Sequence, residues 1–154
     1  MAGDRTYVSE NQAALERLRA LVDRLSDQEL SRPMEAGWTV AGVLAHLAFW
    51  DYRVVTLLDQ WGPDGRGTPP PGYGESATDW INDAAKPLCL ALPPRVAARV
   101  AIDAAVAADQ RVADLSEAQL AANRAAGGPI SVLRSEHRRD HLDEIERALS
   151  AAKR

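Results

Sequence analysis

Apolar residues recur at spacings of three and four along most of the chain, which is the pattern of helices with one buried face. The first run is predicted to begin at a capping box formed by Ser9 and Gln12 and to end near residue 25. A second capping box, Ser26 with Glu29, predicts a short helical turn that Pro33 stops. The inward positions of the first helix are Leu15, Leu18, Val22 and Leu25.

A long helix is predicted next, beginning after Thr39, which is a favourable N-cap, and ending at Gly62 and Pro63. The Gly/Pro-rich segment GPDGRGTPPPGYG then predicts an irregular surface loop. The buried stripe of this helix is predicted to contain Val40, Leu44, Leu47, Val54 and Leu58.

Prolines delimit the following helices. A short helix is expected over 79–85, with Pro87 breaking it, and Pro93 with Pro94 can open another long helix. The inward face of that long helix is predicted to contain Val96, Val100, Ala104, Ala107 and Val112.

The last helix is expected over 129–151, after a stop at Gly127 and Gly128. No segment shows the alternation of strands, so the predicted fold class is all-α. VDRLSDQEL (22–30) resembles VADLSEAQL (112–120), and each precedes a break and a long helix. Two such hairpins packed together predict a four-helix bundle.

Composition restricts the class of protein. With 154 residues the chain fits one domain, 1–154, and its net charge of −4 argues against binding to nucleic acid. A lone Cys89 among apolar neighbours is expected to be a buried, inert thiol, which suits the cytoplasm. The N-terminus lacks the apolar core of a signal peptide, and no stretch is expected to reach the length of a transmembrane helix.

All three histidines lie on predicted long helices. His137 and His141 are four residues apart, so both side chains leave one helix face, and His46 lies at the edge of an apolar stripe. Three imidazoles with open coordination positions would form a catalytic metal site. The spacing alone equally allows a solvated pair beside Arg138 and Arg139 and a hydrogen-bonded core His46, because HxxxH lacks the glutamate of HExxH.

Two segments resemble a known family. GWTVAGVLAHLAFWD (37–51) resembles the W-[ST]-V-x-x-V-L-x-H-L-x-x-W-[DE] signature of the DinB-like (YfiT-like) metal-dependent proteins, and SVLRSEHRRDHLDEI (131–145) resembles their terminal H-x-x-x-H-L-x-E-I helix. The resemblance implies an up-down-down-up four-helix bundle. It also implies a divalent metal held by His46, His137 and His141.

Several side chains near these histidines are candidates for supporting roles. Glu144, three residues after His141, could orient a ligand or could pair with Arg147 on the surface. Trp50 could form a wall of a pocket, and Arg53 could bind a substrate carboxylate, with a core aromatic and a surface arginine as the alternatives. Trp38 is expected to pack in the core. The loop carrying Tyr73, with Trp80 after it, could cover the metal or could be a plain connector.

The resemblance also implies a range of functions. Some relatives are thiol-dependent S-transferases, and others are N-terminal domains of mycothiol-dependent maleylpyruvate isomerases. A metal-dependent transferase, isomerase or hydrolase acting on a small molecule is therefore expected, with Zn or Ni favoured, Fe an alternative, and a thiol such as mycothiol as a candidate cosubstrate. Homodimerisation is expected from the family. The alternative is a non-catalytic binding or stress-response bundle, or a helical dimer whose histidines line a polar cleft.

Overall fold

The computed structural model describes residues 3–62, 64, 67 and 69–154. This described part contains seven α-helices and no strand, which confirms the all-α prediction. The helices are α1 (Thr6–Arg24), α2 (Asp27–Leu30), α3 (Val40–Trp61), α4 (Glu75–Ala91), α5 (Pro94–Ala113), α6 (Glu117–Ala125) and α7 (Ser135–Ala151), with a 3-10 turn at Glu35–Gly37 before α3.

Four of the long helices, α1, α3, α5 and α7, form the bundle, and α4 packs against α3. Both α1 and α3 pack against α5 and α7. Side-chain contacts give the helix directions. Tyr7 contacts Val112 and Arg95 contacts Leu25, so α1 and α5 are antiparallel. Arg17 contacts Asp143 and Arg24 contacts Glu146, so α1 and α7 are parallel, whereas the contacts of Asp51 with Arg134 and of His46 with His137 make α3 and α7 antiparallel. Helices α1 and α7 therefore run together and opposite to α3 and α5, which is the up-down-down-up arrangement.

Local signals at α2 and α3 act as predicted. The Ser26 hydroxyl accepts from the Glu29 backbone N–H at 3.1 Å, and the Glu29 carboxylate accepts from the Ser26 backbone N–H. Thr39 Oγ1 accepts from the Gly42 N–H at 2.9 Å, and Gly62 ends α3 with a positive φ of 83°. Four residues of the predicted loop lie outside the described residues: Pro63, Gly65, Arg66 and Thr68.

The predicted capping box at Ser9 and Gln12 is wrong. Helix α1 already begins at Thr6, and the Ser9 hydroxyl donates to the Thr6 carbonyl within the helix. The turn before Ser9 is held because Tyr7 is buried and its hydroxyl donates to the Val112 carbonyl at 2.9 Å. Tertiary packing therefore extends the helix beyond its local start signal.

Helix α4 is longer than predicted, because Pro87 lies inside it and does not break it. A proline within a helix removes the hydrogen bond to the carbonyl four residues earlier. The turn after Pro87 is nevertheless fixed by packing, since Cys89 is buried in the core and Leu90 lies over Gly42. A Cβ at Gly42 would be only 2.8 Å from Leu90 Cδ2, so the glycine permits this close approach.

The inward face of α5 was predicted only in part. Ala104 and Val112 are buried as expected, but Val96, Val100 and Ala107 are only half-buried. The buried face of α5 consists of Ala97, Ala98, Ala101, Ala104, Ala105, Ala108 and Val112. Alanine fills most of this face because a methyl group lets neighbouring helices approach closely, and the larger Val96 and Val100 lie at its margin.

The last helix begins at Ser135 and not directly after the two-glycine stop. The segment before it is irregular because two buried asparagines take its backbone hydrogen bonds. Asn123 donates to the Ile130 carbonyl at 2.8 Å and accepts from the Ile130 N–H at 3.0 Å. Asn11 donates to the Val132 carbonyl at 2.9 Å.

Helix α3 corrects the expectation that no stretch reaches membrane-spanning length. It has 22 residues and a mean hydropathy of 1.2 in its most apolar window, and it is the one helix of the described residues that passes this test. However, 61% of that window is buried inside the bundle. Its apolar character is therefore accounted for by its place in the core of the bundle.

A polar layer crosses the bundle and divides its core. The larger apolar cluster contains Leu18, Leu44, Ala101, Leu142 and their neighbours, and the smaller one contains Tyr7, Val54, Leu58, Val112 and Ile130. Between them lie polar groups from all four bundle helices: the side chains of Asp51, Asp109 and Arg138 and the main-chain carbonyl of Asn11. His46 lies five residues before Asp51 on α3, and His137 directly precedes Arg138 on α7, so the triad adjoins this layer.

Candidate metal site and adjoining cavity

The three histidines meet between α3 and α7. His46 comes from α3 and is buried, whereas His137 and His141 come from successive turns of α7 and are half-buried. One ring nitrogen from each lies within 4.8 Å of the other two. The structure therefore brings together the three side chains that the sequence proposed as metal ligands.

The geometry and charge state of these imidazoles fit a divalent metal. His46 Nε2 and His137 Nε2 are 3.2 Å apart, and the edge of a zinc tetrahedron with bonds of about 2.0–2.1 Å is about 3.3 Å. Burial, and then the charge of His141, lowers the pKa of His46 to about 4 and that of His137 to about 2. Both rings are therefore neutral at neutral pH, with lone pairs available to a metal.

Glu144 contacts one of the histidines. Its Oε2 lies 3.0 Å from His141 Nδ1, so the geometry matches the first of the two interpretations considered for this residue. A proton on Nδ1 donated to the carboxylate leaves the Nε2 of His141 as the free ligand atom. The same contact restricts the rotation of the ring.

A cavity of about 230 Å³ opens beside the triad. His46 and His137 form one wall, and Arg134 also lines it. The other walls are formed by Trp50, Tyr73, Thr78 and Asn82. The loop before α4 thus supplies a wall through Tyr73, whereas Trp80 is 64% exposed and does not line the cavity.

The aromatic walls are held by polar contacts. Trp50 Nε1 donates to Asn82 Oδ1 at 3.0 Å, which ties α3 to α4. The Arg53 guanidinium lies 4.5 Å from the centroid of the Tyr73 ring and 5.9 Å from that of Trp50. Arg53 therefore stacks behind the aromatic walls and does not line the cavity.

Trp38 lies on the other side of His46, with 5.6 Å between the ring centroids. It is half-buried and packs against the larger apolar cluster, in agreement with the expected packing role. It also borders a larger cleft of about 970 Å³ between residues 32–38 and the C-terminal part of α7. Glu144 lines this cleft, whereas the imidazoles of the triad do not.

Comparison with known families agrees with this geometry. A family model described as the DinB superfamily matches residues 10–145, which include all three histidines and most of the four long helices. The chain belongs to the DinB superfamily. No curated protein and no solved structure gives a significant match. The relation to thiol-dependent transferases and maleylpyruvate isomerase domains stays a prediction.

This DinB superfamily member contains a buried ionic cluster that the sequence did not reveal. Arg138 is 1% exposed, donates to both carboxylate oxygens of Asp109 at 2.9 and 3.0 Å, and also bonds to the Asn11 carbonyl. Asp51 lies 3.4 Å from Arg138 and accepts from Arg134 Nε at 2.9 Å. Of the two arginines that follow His137, Arg138 is therefore buried in the bundle, whereas Arg139 is exposed.

A signal for this cluster was present in the helical phase. Asp51 continues the stripe of Leu44, Leu47, Val54 and Leu58 on α3, and Arg138 continues the stripe of Leu142 and Ile145 on α7. A charged residue in phase with buried leucines must be paired, because burying an isolated charge costs several kcal/mol. That requirement predicts partners on the facing helices, although it does not name them.

Proposed function

We propose that this DinB superfamily protein is a divalent-metal-dependent enzyme that acts on a small molecule. The observation that carries the proposal is the convergence of three imidazoles, with one ring nitrogen each within 4.8 Å, beside a cavity lined by aromatic and hydrogen-bonding groups. Structural metal sites usually fill four positions with protein ligands, whereas three ligands leave a position for substrate. Thiol S-transfer, isomerisation and hydrolysis are the candidate reactions.

Each residue of the site has a defined task in this proposal. His46, His137 and His141 hold the metal, and Glu144 keeps the Nε2 of His141 turned towards it. Trp50 and Tyr73 form aromatic walls of the cavity next to the triad. When bound, a divalent metal lowers the pKa of a thiol or of water at its open position and polarises a nearby carbonyl.

In this proposal the nucleophile is a thiol from outside the chain, or water. Cys89 is buried in the core, and burial raises the pKa of its thiol, as expected for an inert cysteine. A low-molecular-weight thiol such as mycothiol is the proposed cosubstrate. A homodimer is proposed from the family resemblance, and a cytoplasmic location from the lone cysteine.

The test combines metal analysis with turnover. The purified protein is expected to retain a stoichiometric amount of Zn or Ni and to turn over electrophilic substrates with an added thiol, or esters with water. His137→Ala should abolish both properties while leaving the far-UV circular dichroism unchanged. Turnover that survives in His137→Ala contradicts the proposal, and stoichiometric metal without turnover favours a binding module.

A further inference from the structure

Arg134 presents an unused hydrogen-bonding edge to the cavity. The residue is 6% exposed, and its Nε donates to Asp51 Oδ1 at 2.9 Å. Among the residues that the structure describes, neither Nη nitrogen has a hydrogen-bond partner, and neither is sealed from solvent. Arg134 lines the cavity together with His46 and His137. A buried guanidinium that uses only one of its donors is poised for an external acceptor.

Two of the three arginines near the cavity are paired within the chain. Arg134 and Arg138 pair with Asp51 and Asp109, whereas Arg53 pairs with neither carboxylate. Since arginine is always charged in proteins, Arg53 adds a positive charge that no described carboxylate within 4 Å offsets.

The arginine without an ion-pair partner, Arg53, lies behind the aromatic wall of the cavity. Arg53 is half-buried against Tyr73, and no carboxylate lies within 4 Å of it in the described chain. Burial lowers the pKa of Arg53, Tyr73 raises it, and the charge of Arg134 lowers it again. Arg134 on the cavity wall and Arg53 behind Tyr73 therefore both favour an anion in the cavity.

We propose that the cavity binds a small molecule through a carboxylate placed on the Nη edge of Arg134, with the reactive end of the molecule towards the histidines. This inference rests on the proposed function, because it names the substrate class of the same site. A guanidinium edge matches a carboxylate with two parallel hydrogen bonds. The amide nitrogen of Asn82 and the hydroxyl of Thr78 are further polar groups on the wall. With about 230 Å³, the cavity is smaller than sites for drug-sized ligands, so a short-chain acid is expected.

The experiment compares two probes of equal shape, propionate and propionamide. Each is titrated into the intact protein, both metal-free and zinc-loaded, and binding is followed by proton–nitrogen NMR that includes the arginine Nε–H signals. Propionate is expected to bind both forms and to shift the Arg134 side-chain signal. Propionamide is expected to bind at least about tenfold more weakly, because it lacks the charge.

Variants separate the cavity from general charge effects. Arg134→Gln should weaken propionate binding at least about tenfold, whereas Arg139→Gln, which removes an exposed charge from the same helix, should leave it unchanged. Asn82→Asp keeps an acceptor for Trp50 Nε1 and adds a negative charge to the wall, so it should also weaken propionate binding. This second variant tests the cavity without disturbing the Asp51 pair.

Equal affinity for the two probes, or unchanged propionate binding in both Arg134→Gln and Asn82→Asp, overturns the assignment. Binding only to the zinc-loaded form also overturns it, because the carboxylate would then be a metal ligand and not a partner of Arg134. Titration of the metal-free protein is independent of turnover. Failure of the proposed enzymatic activity is thus distinguishable from failure of the carboxylate site.

Discussion

Two groups of polar side chains, the polar layer and the histidine triad, are neighbours on α3 and α7 but differ in how their polar atoms are paired. In the polar layer, the Arg138 guanidinium donates to Asp109, Asp51 and the Asn11 carbonyl, so carboxylates of the same chain offset its positive charge. In the histidine triad, the polar contacts of the rings with described residues are between His46 Nε2 and His137 Nε2 and from His141 Nδ1 to Glu144. The ring nitrogens of His46 and His137 therefore contact no charged partner among the described residues.

The difference indicates which polar residues stabilise the bundle and which await a ligand. A buried charge must be paired within the folded chain, or the fold is lost. A buried imidazole can instead stay neutral, and its lowered pKa shows that it does. The layer is thus required for folding, whereas the triad is compatible with folding before its ligand arrives.

The sharpest test of this comparison is the removal of the buried arginine. Arg138→Met leaves Asp109 and Asp51 with less compensating charge in the core, and is expected to lower the free energy of unfolding by about 3–5 kcal/mol. Urea denaturation of the metal-free protein measures this. Arg139→Met, on the exposed neighbour, is expected to change it by no more than about 0.5 kcal/mol. Similar values for the two variants would contradict the structural role of the layer.

Metal should stabilise the protein only through the triad. At free zinc of about 100 times its dissociation constant, the free energy of unfolding is expected to rise by about 2.7 kcal/mol. His137→Ala should lose this gain while its metal-free stability stays close to that of the wild type. Denaturation with and without zinc measures both quantities. A zinc-dependent gain retained in His137→Ala would place the metal elsewhere.

Acid should destabilise the triad specifically. The folded pKa of His46, about 4, is below its unfolded value of 6.5, so its contribution to stability is complete above that value and is lost as the pH falls. Between pH 7 and 5 the metal-free wild type should lose about 2 kcal/mol more than His46→Phe. Arginine stays charged between pH 7 and 5, so its contribution to the stability of the polar layer does not change over this range. Equal pH dependence of the two proteins would show that His46 is not held neutral.

Sequence patterns predicted the bundle well because its stripes are apolar and its caps are local. The capping box at Ser26, the N-cap at Thr39 and the stop at Gly62 depend on neighbouring residues alone. The errors arose where distant contacts decide the local structure. Helix α4 continues beyond Pro87 because Cys89 packs in the core. The segment before α7 is not helical because Asn123 hydrogen-bonds its backbone.

Of the candidate site, the sequence predicted the three histidines but not the cavity beside them. Histidines are rare in this chain, and their spacing and motifs identified all three residues that the structure brings together. The cavity was harder to predict, because Arg134 and Asn82 come from separate helices and their meeting depends on the bundle topology. Arg53 was proposed for a carboxylate because it follows His46 by seven residues, but it stacks behind Tyr73.

The smallest predicted effect tests whether the triad has partners of its own. Glu144→Gln removes the charge that holds His141 Nδ1 and is expected to weaken zinc binding about tenfold, which corresponds to about 1.4 kcal/mol. Glu136→Gln makes the same change on an exposed residue of α7 and should leave the zinc affinity unchanged. Competition with a zinc-binding dye measures both affinities. Equal affinities would show that Glu144 is a surface group near His141 and that the triad, unlike the polar layer, depends on no charged neighbour.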